Sequence, residues 1–139
     1  MALQRTLCIV KPDAVEKHTA GSILQRVEES GFEIRALRMT RLARAEAEGF
    51  YEIHRQRPFF GELVQFMTRS PVIVAVLERD DAVTGWRELM GATDPAKAAP
   101  GTLRARFAQD MTRNATHGSD SPASATRELG FFFGAYDVV

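Results

Sequence analysis

The segment Pro71-Val72-Ile73-Val74-Ala75-Val76-Leu77 constrains the fold most, because so continuous an apolar and β-branched run has no polar face to offer solvent. A strand built from it must be covered on both sides. The pattern therefore predicts a central strand, with the rest of the chain arranged to cover it.

Thr6 to Val10 is a second near-continuous apolar run, stopped by Lys11-Pro12-Asp13, and reads as a buried strand ending in a proline-fixed turn. Ile23, Leu24 and Val27 recur at helical spacing, with Gly21-Ser22 before them as the N-cap and Gly31 after as the C′ residue. Phe32, Ile34, Ala36 and Leu37 begin another strand. Ala43 to His54 and Phe59 to Met67 read as helices separated by Arg57-Pro58. Asp80-Asp81 is expected to cap a helix running through Trp86 to Met90, which Gly91 ends, and Pro95 to Pro100 is expected to be a loop. After a short segment around Leu103 to Phe107, a strand is placed near Arg113 to Thr116, and Ser121-Pro122 opens a last helix. No repeat or low-complexity linker interrupts this order, and 139 residues suit one domain over 1–139. The element order fits an α+β plan, a ferredoxin-like split βαβ fold with an antiparallel sheet covered by helices.

Eighteen basic and eighteen acidic side chains cancel, which disfavours nucleic acid as a partner and requires any anion to be recognised locally. Only Lys11, Lys17 and Lys97 are lysines; the other basic residues are arginines, suited to bidentate phosphate contact. Cys8 is the one cysteine, so no disulfide framework or multi-cysteine metal cluster forms within the chain, and its apolar setting reads as a buried thiol. No apolar run reaches the roughly 18 residues of a membrane span. A cytoplasmic protein without a membrane partner is the expectation.

Chemistry concentrates in Asn114-Ala115-Thr116-His117-Gly118-Ser119-Asp120-Ser121, just ahead of a helix start. A neutral imidazole offers one nitrogen lone pair while its other nitrogen is held as a donor, so His117 can act as a nucleophile if a carboxylate or hydroxyl orients it. Ser119 and Glu128 are the candidates for that support. His18 and His54 lie far away in sequence, and no second histidine or cysteine falls at ligand spacing, which argues against a protein-held metal. Lys11 at a strand end, Arg87 and Arg104 could grip phosphate, and Phe59, pinned after Pro58, could stack on a base. Taken singly, each has an ordinary reading as a solvated charge, a turn histidine or a core ring. The glycine-rich phosphate cradles are absent, so side chains would have to hold any nucleotide.

N-A-T-H-G-S-D-S at 114 to 121 closely resembles the active-site signature of nucleoside diphosphate kinases, and the likeness spans essentially the whole chain. R-T-L-C-I-V-K-P-D-A-V at 5 to 15, R-P-F-F at 57 to 60, L-M-G-A-T-D-P at 89 to 95 and P-G-T-L-R at 100 to 104 follow in family order. The resemblance implies a ping-pong reaction in which His117 takes the γ-phosphoryl group of a nucleoside triphosphate, accompanied by Mg²⁺, and passes it to a nucleoside diphosphate. It implies Lys11, Tyr51, Arg87, Thr93, Arg104 and Asn114 as phosphate and sugar contacts, Phe59 as the base platform, and Glu128 and Ser119 as supports of His117. It further implies a homo-oligomer, a tetramer or hexamer built from dimers, and the chain's length resembles bacterial members. A catalytically silent nucleotide-binding or regulatory member of the same fold is the rival reading, opposed by the intact His117, Lys11 and Asn114.

Two departures stand out. Arg69-Ser70-Pro71 replaces the more usual Ser-Gly-Pro, and Asp94 stands where many members have asparagine. The extra negative charge beside Thr93 is expected to weaken phosphate affinity slightly at low salt. Asp94→Asn should then lower the Michaelis constant for nucleotide, as steady-state kinetics at low ionic strength would show; an unchanged constant removes that role from Asp94.

Overall fold

The computed structural model describes residues 2–139. The chain runs β1 (Leu3–Val10), α1 (Pro12–Glu16), α2 (Ala20–Glu29), β2 (Glu33–Thr40), α3 (Arg44–Phe50), α4 (Phe60–Thr68), β3 (Val72–Asp80), α5 (Ala82–Met90), α6 (Leu103–Phe107), β4 (Thr116–Gly118) and α7 (Pro122–Phe132). Short 3-10 turns occur at Glu52–His54, Pro95–Lys97 and Ala135–Asp137. The strands order as β2-β3-β1-β4 with every neighbouring pair antiparallel, which is the ferredoxin-like α+β arrangement.

The apolar run after Pro71 does become an interior strand, and Val72 to Glu78 are all buried. Because side chains alternate across a strand, β1 and β3 supply two cores. Cys8, Val10, Ile73, Ala75 and Leu77 pack with Ile23, Val27, Trp86 and Met90 on one face. Leu7, Ile9, Val72 and Val74 pack with Phe50, Val64, Met67 and Phe132 on the other. Helices α2 and α5 thus cover one side, and α3, α4 and α7 cover the other. Burial also pushes the Cys8 thiol up to about 12, so it stays a neutral, inert core group.

Several local expectations shift. Pro12 occupies the first turn of α1, where its missing N–H costs nothing, so the proline turn winds into a short helix. Gly21 and Ser22 lie inside α2, which begins after Thr19; the Thr19 hydroxyl donates to the Ala14 carbonyl at 2.9 Å instead of capping. Gly31 does sit beyond the end of α2, at φ +86°. The segment from Ala43 divides at Tyr51 into α3 and a 3-10 turn, since Ile53 is 71% exposed and supplies no apolar contact for another regular turn. Asp81 precedes α5 in a left-handed conformation and its side chain makes no capping bond. The last strand is Thr116–Gly118 and not Arg113 to Thr116, because Ala115 at φ +72° is incompatible with an extended strand.

The Arg69-Ser70 departure has a visible use: both side chains donate to the Glu16 carboxylate and lower its pKa from the ordinary value, tying the end of α4 to the end of α1. Of the three C-terminal phenylalanines, Phe132 is buried, Phe133 half-buried and Phe131 exposed.

Leu77→Ala should cost about 2–5 kcal/mol of unfolding free energy, whereas Leu3→Ala at the exposed start of β1 should stay within about 0.5 kcal/mol. Urea denaturation checks both. Cys8 should remain unmodified by a thiol reagent until the protein unfolds.

Candidate functional site

Although β4 is only three residues long, its register decides what the site contains. Ile9 pairs with His117, and Cys8 and Val10 pair with Gly118 and Thr116. Directly opposed residues share a face, so His117 is delivered to the Ile9 side, where the Phe50 ring meets the imidazole edge-on at 5.5 Å. Gly118 falls on the opposite face, beneath Trp86 and Met90. A Cβ there would approach both Trp86 Cδ1 and Met90 Cε at 2.5 Å, so only glycine fits. Trp86 Nε1 also donates to the His117 carbonyl at 3.1 Å. Ahead of the strand, buried Ala115 is kept left-handed by two bonds: its N–H donates to Asp13 Oδ2 at 3.0 Å, and its carbonyl accepts the Lys11 N–H at 2.9 Å.

Helix α7 brings Glu128 over this face. Ser121 caps it by accepting the Ser124 N–H at 3.1 Å, Pro122 fills the first turn, and the Glu128 carboxylate ends up 3.0 Å from His117 Nε2. Ser119 Oγ donates to the same carboxylate oxygen at 2.8 Å. Burial raises the Glu128 carboxyl, but the hydrogen bonds from His117 and Ser119 outweigh it, leaving it below its ordinary value. The carboxylate therefore accepts and Nε2 donates, which in the neutral ring leaves the lone pair on Nδ1. With its side chain 22% exposed, the ring is reachable. Tyr51 packs against Phe50 at 4.9 Å, and its phenol is pushed up by burial and by the Glu128 charge.

Lys11, at the end of β1, donates from Nζ to Asn114 Oδ1 and to the Thr112 carbonyl, each at 2.8 Å. Asn114 Nδ2 in turn reaches the Met111 carbonyl at 3.1 Å and the Thr93 carbonyl at 3.4 Å. Burial pushes the Lys11 ammonium down to about 8, opposed by Asp13 and assisted by the charge of Arg104. Arg104 is itself lowered to about 10 by burial and by Arg87. Its two terminal nitrogens donate to the Gly91 and Thr116 carbonyls, while buried Nε has no partner. Three cations thus crowd one another, and among the described residues none of them forms a salt bridge. Several other arginines, such as Arg38 and Arg127, also lack one, so the mutual repulsion through Arg104 is what sets these three apart. Such a cluster can receive an anion.

Beside it opens a cavity of ≈ 390 Å³ whose walls include Lys11, Thr93, Leu63, Phe59 and Met111. Phe59 is 47% exposed, whereas its neighbour Phe60 packs on the core. Met111 was not singled out from sequence; an apolar side chain between Asp110 and Thr112 in a polar loop was the available signal, and it is 60% exposed. A larger hollow of ≈ 710 Å³ adjoins it past Met111 and Thr112 and contains none of the expected site residues. Arg87 lies in neither, lining a separate hollow with Gly91 and Asp120 and joining the cluster through Arg104. Asp94 accepts the Ala96 N–H at 3.0 Å, so its side chain initiates the Pro95–Lys97 turn. Among the described residues, no three His, Cys, Asp or Glu side chains gather to hold a metal ion.

Residues 4–138 match the family model described as nucleoside diphosphate kinase. The chain belongs to that family. A nucleoside diphosphate kinase of Sorangium cellulosum is 58% identical over 99% of this chain and 96% of its own length, and one from Pelobacter propionicus is 50% identical over 99% and 100%. Among solved structures, the Aquifex aeolicus nucleoside diphosphate kinase superposes with a TM-score of 0.97 at 50% identity, covering 99% of this chain and 100% of that one. A Halobacterium salinarum nucleoside diphosphate kinase in complex with CDP superposes at 0.96 with 38% identity, covering 99% and 92%.

Glu128→Ala strands the buried Ser119 hydroxyl and the His117 N–H, and should cost about 1–3 kcal/mol of stability. Because the partners are shared, adding Ser119→Ala should cost less than the sum of the single effects in chemical denaturation.

Proposed function

We propose that the chain, as one catalytic unit over residues 1–139, transfers the γ-phosphoryl group of a nucleoside triphosphate to a nucleoside diphosphate through phosphorylated His117. The observation that carries the reading is the unpaired cation cluster of Lys11, Arg104 and Arg87 beside a histidine whose Nδ1 lone pair is free. The family match and the CDP-bound relative point the same way.

In the first half-reaction Nδ1 attacks the γ-phosphorus; an N–P bond forms as the bond to the bridging oxygen breaks, and the nucleoside diphosphate leaves with that electron pair. In the second, the terminal oxygen of an acceptor diphosphate takes the phosphoryl group and restores the imidazole. Phosphoryl transfer needs in-line positioning and stabilisation of oxygen charge more than it needs a proton relay, and the residues divide accordingly. Lys11 and the two arginines balance phosphate charge, with Asn114, Thr93 and Tyr51 as further phosphate and sugar contacts. Glu128, steadied by Ser119, fixes the tautomer and balances the positive charge that grows on His117. Phe59 and Met111 hold the base between apolar faces, and stacking without edge reading gives little discrimination among bases. The divalent cation, Mg²⁺, enters as part of the nucleotide substrate. Homo-oligomerisation as a tetramer or hexamer of dimers and a cytoplasmic location follow from the family resemblance; no described helix is long and apolar enough to cross a membrane.

Intact-protein mass spectrometry after brief exposure to ATP and Mg²⁺ should show one acid-labile phosphoryl adduct that a different nucleoside diphosphate removes, yielding its triphosphate. No adduct on the folded protein would leave the silent binding module as the better reading. His117→Ala should lose transfer by several orders of magnitude while retaining nucleotide binding, measured by single-turnover kinetics and calorimetry.

Lys11 adds a pH signature. Its folded value of about 8 lies below the ordinary 10.5, so between the two the unfolded chain carries the proton and the folded chain does not. The folding penalty of the buried charge is therefore full below pH 8 and is relieved as pH rises toward 10.5. Affinity for a nucleoside diphosphate should move oppositely, weakening above about pH 8 as the ammonium is lost, and Lys11→Gln should flatten that dependence in calorimetric titrations.

A further inference from the structure

We propose that His54 is a positioning residue for the base site, bracing the Phe59 ring against the core; the proposal rests on the reading of Phe59 as the base platform. An exposed phenylalanine that must stack on a base loses rotamer freedom on binding unless something already holds it. Phe59 is 47% exposed, and among the described residues its ring partner is the His54 imidazole, 5.6 Å away at an interplanar angle of 54°. His54 also lies 6.4 Å from Tyr51, tilted by 31°, and Tyr51 belongs to the buried core. Half-buried His54 is thus the bracket between a fixed ring and a free one.

The backbone places it there by consecutive short bonds. The His54 N–H donates to the Tyr51 carbonyl at 2.8 Å, the Arg57 N–H to the His54 carbonyl at 2.8 Å, and the Phe60 N–H to the Arg57 carbonyl at 3.1 Å. Phe60 needs no such brace, because it packs on the core and carries the Arg55 guanidinium over its ring at 5.3 Å. Among the described residues the His54 side chain has no hydrogen-bond or ion-pair partner, and its aromatic contacts are these two rings.

Steady-state kinetics with ATP as donor and a varied nucleoside diphosphate test the assignment. His54→Ala should raise the Michaelis constant about three- to tenfold at unchanged kcat, the scale of one lost aromatic pair, and His54→Phe should restore it. In a Phe59→Ala background, His54→Ala should add nothing further, because its effect passes through that ring. A wild-type Michaelis constant in His54→Ala, or its full effect persisting without Phe59, would overturn the proposal. A Phe59→Ala variant with an unshifted constant would overturn it together with the platform reading. Absence of transfer by the wild-type chain would instead sink the kinase reading itself.

Discussion

The pairing of His117 with Ile9 is the contact on which the rest of the structure depends. A strand has a side-chain period of two, so a slip of one residue would turn His117 under Trp86 and present Gly118 to the Glu128 face. Two features prevent that slip. The space beneath Trp86 and Met90 admits no side chain, and the left-handed Ala115 stops the ladder at Thr116. The bonds that hold Ala115 come from Asp13 and Lys11, at the start of the neighbouring helix and the end of the first strand. Register, loop conformation and the placement of Lys11 are therefore one connected arrangement.

Electrostatics divides the site into an anionic and a cationic half. On one side of the imidazole, Glu128 is kept ionised despite its burial by the two donors that converge on it. On the other, Lys11, Arg104 and Arg87 repel one another without a salt bridge among the described residues, although Asp13 and Asp110 partly offset the charge at Lys11. Lys11 is tethered by neutral carbonyl and amide oxygens that fix its direction without quenching its charge. Structural arginines elsewhere, such as Arg69 on Glu16 or Arg113 on Asp110, are satisfied inside the protein.

What could be read from the sequence was whatever a local pattern dictates. The run after Pro71 required two-sided burial and found it; Gly31 and Gly91 marked helix ends; Ser121-Pro122 marked a helix start. Caps were less legible, because Thr19, Gly21 and Ser22 compete for one helix start, and Thr19 settles the matter through a bond to a carbonyl five residues away. The last strand was displaced because a non-glycine residue adopts a positive φ, which propensity does not anticipate. The site is harder still. His117 and Glu128 lie eleven residues apart, but Phe59 and Met111 face one cavity from distant loops, and only the folded chain brings them opposite each other.

The clustered cations also bear on how long the molecule survives. A fold that concentrates like charge is held below the stability its packing alone would give, and under the proposed function a bound polyphosphate supplies counter-charge. Ligand occupancy and resistance to unfolding are then two readings of one equilibrium. With nucleotide held at Lys11 and Arg104 as proposed, local opening there becomes rarer as nucleotide accumulates and more frequent as it is depleted, and susceptibility to proteolysis follows the nucleotide pool.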